Sequence, residues 1–197
     1  MPNFLAFFSF VIVTLYTPGP NTIMAMSNAS RYGFKKSMEF NLGVLCGIIV
    51  IMNLCSIFSL TVYRLIPSVK PVMTAVGAAY IFWLAWRTYQ SKPRLEGEEE
   101  NEGKDTNTFL TGLILQFVNP KLILFGITVI SSFILPYYNS PLLLMFFSVF
   151  LAFMGFGALI CWSLFGSLFQ RTYQKNNRLI NTVMALLLVY CAIALFL

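Results

Sequence analysis

Hydrophobic positions along this chain fall into six long runs rather than an alternating pattern. The runs are about Phe4–Met26, Asn41–Tyr63, Val69–Trp86, Phe109–Leu135, Leu142–Phe169 and Leu179–Leu197. Each approaches or exceeds the roughly 20 apolar residues that one helix needs to cross a bilayer. None shows the period-two alternation of a barrel strand, and all are too long for one. Lipid offers no partner to a free backbone N–H or C=O, so each run predicts a transmembrane helix. The opening MPNFLAFFSFVIV carries no basic stretch and reads as a retained first span, not a signal peptide.

The polar positions between the runs set the organisation. Residues Thr88–Thr108 hold six of the seven acids, Glu96, Glu98, Glu99, Glu100, Glu102 and Asp105, and divide the chain into two sets of three spans. The expected units are therefore 1–87, an acidic linker 88–108, and 109–197. An odd number of spans per half inverts the second half, the construction of many transporters. The predicted fold is an all-α integral membrane protein with six transmembrane helices in two inverted three-helix repeats, the first and fourth helices broken.

Composition narrows the class. The chain is 58% hydrophobic and only 10% charged over 197 residues, against roughly 25% charged for a soluble domain. A cytosolic enzyme, a nucleic-acid binder and a secreted disulfide scaffold are all excluded on that ground. The net charge of +6 describes topology rather than a ligand. Arg31, Lys35, Lys36, Arg87, Lys92, Arg94, Lys104, Arg171, Lys175 and Arg178 follow the first, third and fifth spans, while only Arg64 and Lys70 lie on the opposite side. Cytoplasmic loops carry the excess of bases, so both termini are expected in the periplasm and the linker in the cytoplasm.

Two spans are interrupted. The first contains Thr17-Pro18-Gly19-Pro20-Asn21, and the fourth Asn119-Pro120-Lys121. Proline lacks the N–H donor and its ring clashes one turn back, so neither stretch continues an α-helix. The interruptions fall about 21 Å and about 15–18 Å into their spans at 1.5 Å per residue. Paired breaks in corresponding positions of two halves point to a transport site. Two ordinary proline kinks would explain the same residues without one. Lys121 lies deep inside a span, and no intramembrane acid can pair with it. It either binds an anionic substrate group or caps carbonyls freed by the breaks.

Other chemistry is sparse. Cys46, Cys55, Cys161 and Cys191 all lie in apolar runs, form no C-x-x-C, and are accompanied by no histidine. No metal or cofactor is expected, and the thiols read as small apolar fillers. Gly43 with Gly47, and Gly155 with Gly157, read first as close helix packing and second as backbone exposed to a passing substrate. Tyr63, Trp86 and Tyr89 suit an interfacial belt. Glu39, one turn from Lys35 and Lys36, reads as a surface ion-pair partner.

Thr17-Pro18-Gly19-Pro20-Asn21, Gly33-Phe34-Lys35-Lys36, Gly43-Val44-Leu45-Cys46-Gly47, the stretch Gly77–Trp86 and Gln116-Phe117-Val118-Asn119-Pro120-Lys121 together resemble the LysE/RhtB amino-acid exporter family. The resemblance covers nearly the whole chain apart from the acidic linker. Ala85-Trp86 and Leu187–Ala192 look most like the branch that exports cysteine and O-acetylserine. The implied function is secondary export of a small amino acid, cysteine, O-acetylserine or similar, from the bacterial cytoplasm across the inner membrane. The expected partners are the amino-acid substrate and the bilayer, with no nucleic acid; assembly with further copies of the chain stays open. The expected substrate-binding residues are Thr17, Pro18, Gly19, Pro20, Asn21, Asn119, Pro120 and Lys121, and none is expected to be catalytic.

A transmembrane thiol–disulfide electron carrier is the alternative, but it needs a cysteine at each break. The breaks contain none, and the nearest by sequence reading are Cys46 and Cys161. A metal-ion exporter lacks histidines and carboxylates, and an enzyme lacks a nucleophile–base set.

Overall fold

A computed structural model describes residues 4–57, 59–90 and 106–194. The helices are α1 (Phe4–Tyr16), α2 (Pro20–Tyr32), α3 (Phe34–Ile57), α4 (Ser59–Tyr89), α5 (Phe109–Val118), α6 (Pro120–Val129), α7 (Pro141–Leu168) and α8 (Gln170–Ala194). A π-helical turn, Ile130–Ile134, prolongs α6, and no strand occurs among the described residues. Phe34–Ile57, Pro141–Leu168 and Asn176–Ile193 are each long and apolar enough to cross a membrane. α1 with α2 and α5 with α6 are pairs bent by 48° and 64°, and counting each as one span gives five.

Both bends sit where the prolines predict. Pro20 and Pro120 are the first residues of α2 and α6, the helical position at which a missing N–H loses nothing. Gly19 is extended, and Thr22 closes the start of α2: Gly19 N donates to Thr22 Oγ1 at 2.9 Å and Ile23 N to the Gly19 carbonyl at 2.9 Å. The Asn119 side chain caps α6 by accepting from Lys121 N at 3.1 Å. Gly33 ends α2 with φ 81°, a backbone open to glycine and strained for other residues, so α3 starts one residue later.

Two packing modes hold the bundle. α2 lies along α7, α5 and α6 lie along α3, α3 crosses α7, and α4 packs on α8. On the side of the breaks that faces the linker, main chains touch. A Cβ on Gly43 would stand 2.0 Å from the Phe109 carbonyl oxygen, and one on Gly112 2.3 Å from that of Phe40. A Cβ on Gly166 would stand 2.3 Å from the Met26 oxygen, beside the Ser30 Oγ hydrogen bond to the Gly166 carbonyl at 2.8 Å. On the far side, rings fill the space between α1 and α6: Phe10 stacks on Phe125 and Phe133, with centroids 5.9 and 5.6 Å apart, and Phe7 meets Phe133 edge-on.

Several sequence expectations shift. The apolar run that predicts a span to Tyr63 is divided between α3, which ends at Ile57, and α4, which begins at Ser59, and Arg64 and Lys70 lie within α4 rather than in a loop. The 24 residues of α3 already span about 36 Å, enough to cross a bilayer. α2 continues past Met26 to Tyr32 because Ser27, Asn28 and Ser30 are buried against neighbours rather than placed at a water boundary. α8 carries a non-helical Asn176 and enters its apolar stretch there. Both ends of the linker are docked: Thr88 and Thr106 are buried, and Asn107 Nδ2 donates to the Lys36 carbonyl at 2.9 Å. The six linker acids lie outside the described residues. Glu39 takes a different partner from the one expected. Its Oε1 accepts from Phe109 N at 3.4 Å, placing a carboxylate on the positive end of α5.

Candidate functional site

The two breaks meet. Across the seam, Asn21 Nδ2 donates to Gln116 Oε1 at 2.8 Å, and Gln116 Nε2 donates back to Asn21 Oδ1 at 3.1 Å. Asn119 Nδ2 adds a third bond to Asn21 Oδ1 at 3.3 Å. Lys121 crosses in the opposite direction, its Nζ donating to the Thr17 carbonyl at 3.1 Å. That carbonyl is among those left without a helical partner where α1 ends. The capping role expected of Lys121 is therefore present in the geometry. The lysine stem lies over Gly19, where a Cβ would be 3.1 Å from Nζ and 3.4 Å from Cδ.

Beside these bonds opens a cleft with about 470 Å³ of empty space, including its mouth. Thr17, Gly19, Pro20, Asn21, Asn119 and Lys121 line it, together with Thr14, Leu15, Thr22, Ile48, Leu122, Phe125, Gly155 and Leu159. Of the eight residues expected in the site, six reach the cleft; Pro18 and Pro120 shape the chain beside it. Thr14, Leu15, Leu122 and Phe125 belong to the half-helices pointing away from the linker, so the cleft extends to that side. α4 backs the second break, with Gly77 so close that a Cβ would stand 2.3 Å from the Val118 oxygen.

The electrostatics of this cleft are one-sided. The N-terminal ends of α2 and α6 and the Lys121 ammonium meet at it, and no carboxylate among the described residues lines it. Helix N-termini and an ammonium together favour an anionic group. Among the described residues no group of three or more metal-binding side chains occurs.

Sequence reasoning missed several members. Gln116 is fully buried behind Asn21, and a lone glutamine in an apolar run signals only that it needs a partner. Cys55 and Cys191 are buried, whereas Cys46 and Cys161 are exposed, and no cysteine lines the cleft among the described residues. All four cysteines are free. Trp162 Nε1 donates to the Tyr16 carbonyl at 3.3 Å, fixing the end of α1 to α7. Gly43 and Gly47 pack against α5, as the first reading of the small residues has it, and Gly155 lines the cleft.

Residues 12–197 match the family model described as LysE type translocator. The chain is 38% identical over 191 residues to the cysteine/O-acetylserine efflux protein of Escherichia coli strain K12, covering 97% of this chain and 96% of that protein. The protein of the same name from Shigella flexneri matches with the same identity and coverage. No solved structure matches. The chain belongs to the LysE translocator family.

Proposed function

From that membership, we propose that this protein is a secondary transporter exporting a small zwitterionic amino acid, cysteine, O-acetylserine or one of similar size, across the bacterial inner membrane. The observation that carries the proposal is the convergence of the two breaks on one donor-lined cleft with Lys121 at its edge. The substrate carboxylate accepts from Lys121, the amides of Asn21 and Asn119, and the N-termini of α2 and α6. Its ammonium turns to the carbonyls left free at the ends of α1 and α5. A thiol–disulfide carrier is not favoured, because it needs a cysteine at each break and neither break contains one.

The reading includes six spans in two inverted halves, with α4 as the sixth span and residues 88–108 as the cytoplasmic linker. Internal likeness supports it. Asn41 and Ser148 are each the eighth residue of α3 and α7, and Ser56 and Ser163 each the twenty-third. They form two buried pairs at opposite ends of one crossing, Asn41 to Ser163 at 2.8 Å and Ser56 with Ser148 at 2.7 Å. Each broken pair also packs along the long helix of the other half.

Radiolabelled efflux from loaded proteoliposomes, screening amino acids with and without an imposed proton gradient, tests the activity. Protein-dependent efflux of cysteine or O-acetylserine is expected; no amino acid leaving faster than from empty vesicles would overturn it. Cysteines introduced at Asn3 and Asn101, in a background lacking the native four, should react with an impermeant maleimide from opposite sides. Labelling at Asn101 from outside intact cells would reverse the topology.

A further inference from the structure

The amide network joining the breaks has a fixed polarity, and Gln116 sets it. Gln116 Nε2 donates to the Gly112 carbonyl at 2.9 Å, and a backbone carbonyl can only accept. This anchors the amino end of the glutamine amide beside Gly112 and Asn21 Oδ1, so Oε1 receives Asn21 Nδ2. The other end of the network is anchored in the same way. Lys121 N is a backbone donor bound to Asn119 Oδ1, which leaves Asn119 Nδ2 to donate to Asn21 Oδ1. The Asn21 oxygen thus accepts two hydrogen bonds and has no capacity left for a ligand. Asn21 and Asn119 each keep one amide N–H beyond this network, and both residues line the cleft.

We propose that Gln116 is the positioning residue that makes Asn21 a donor, and thereby makes the cleft select a carboxylate over its neutral ester. This rests on the exporter reading above. Gln116 does not line the cleft, so it acts through Asn21 and not by touching substrate. Its place depends on Gly47, where a Cβ would be 2.5 Å from Gln116 Cγ. Without Gln116, Asn21 Nδ2 loses its acceptor and the amide hangs on the single bond from Asn119, so its remaining N–H is no longer held toward the cleft. A carboxylate then loses a fixed donor, whereas an ester, lacking charge, loses little.

The test compares binding of L-cysteine and L-cysteine methyl ester to purified wild-type protein and Gln116→Met, an unbranched replacement without amide groups. Wild type should prefer the acid, and Gln116→Met should lower that preference by about tenfold or more, the scale of one hydrogen bond to a charged group. Should Gln116→Met not accumulate, Gln116→Ala supplies the readout. It removes both amide groups without crowding Gly47, adds no charge, and should lose the preference as well. Variants that keep the wild-type acid-to-ester ratio, with or without a lower melting temperature, would overturn the positioning role alone and leave the exporter standing. Wild-type protein that binds neither compound, and exports no amino acid, would overturn both.

Discussion

On the linker side of the breaks, Gly43, Gly112 and Gly166 let main chains touch, and each contact is made with a carbonyl oxygen that cannot move alone. On the far side, the same broken helices are separated by the rings of Phe7, Phe10, Phe125 and Phe133 and by the cleft. Between transmembrane helices the hydrophobic effect contributes little, because lipid is as apolar as leucine. Close approach of small residues is then the stronger device, and ring stacking the more adaptable one. The difference predicts that equal insults to the two sides have unequal results.

The largest difference should come from a side chain added at Gly43. Its Cβ would overlap the Phe109 carbonyl, and α5 must retreat from α3 to admit it. Overpacking typically costs about 1–3 kcal/mol, and more where backbone must shift. Gly43→Val should leave little monodisperse protein in detergent, read by size-exclusion chromatography. Normal yield and melting temperature would mean that the linker side has slack the contacts do not show.

Second comes a large functional effect without a structural one. Lys121→Met removes the ammonium from the cleft but leaves the Asn21–Gln116–Asn119 bonds, which hold the breaks together without it. Affinity for L-cysteine should fall at least about tenfold, roughly 1.4 kcal/mol, with the melting temperature nearly unchanged. A large loss of stability, or unchanged affinity, would give the lysine a capping role only.

The breaks were legible in the sequence because a proline's missing donor is a local fact. The chain cannot hide Pro18, Pro20 or Pro120 inside a regular helix. The end of α3 at Ile57 was not, since the apolar run continues beyond it and composition carries no mark of where a helix has become long enough. Gly43 and Gly47 could be read as packing residues, but that Gly43 meets Phe109 and Gly47 meets Gln116 is a property of two distant segments. Gln116 shows the same limit most sharply. Its partner across the seam, Asn21, together with the Gly112 carbonyl one turn back on α5, gives it a meaning that its place in an apolar run does not.

On the far side, Phe133→Leu tests how adaptable the rings are. It removes the stack on Phe10 and the edge contact with Phe7 while leaving an apolar chain of similar reach. Aromatic pairs contribute about 0.5–1.5 kcal/mol beyond their area, so thermal unfolding should shift by that order. Disruption as severe as that of Gly43→Val would erase the contrast between the two sides.

The smallest effect on stability is expected at Gly155, where the contrast meets the cleft. Gly155 is small like Gly43, yet a Cβ there would be 3.3 Å from Ile48 Cδ1 and 3.6 Å from Leu15 Cδ2, the far ends of flexible side chains and not backbone. Those neighbours can yield by tenths of an ångström. Alanine is also the better helix former, by up to about 1 kcal/mol. Gly155→Ala should therefore melt within about 0.5 kcal/mol of wild type or slightly above it. The new methyl occupies space in the cleft between α3, α7 and α1. Crowding by one methyl group discriminates substrates by about 10-fold or more. Competition assays in proteoliposomes should show cysteine still exported and longer amino acids excluded more strongly than by wild type. Destabilisation comparable to Gly43→Val would place Gly155 among the seal glycines, and an unaltered size preference would take the α3–α7 seam out of the substrate's path.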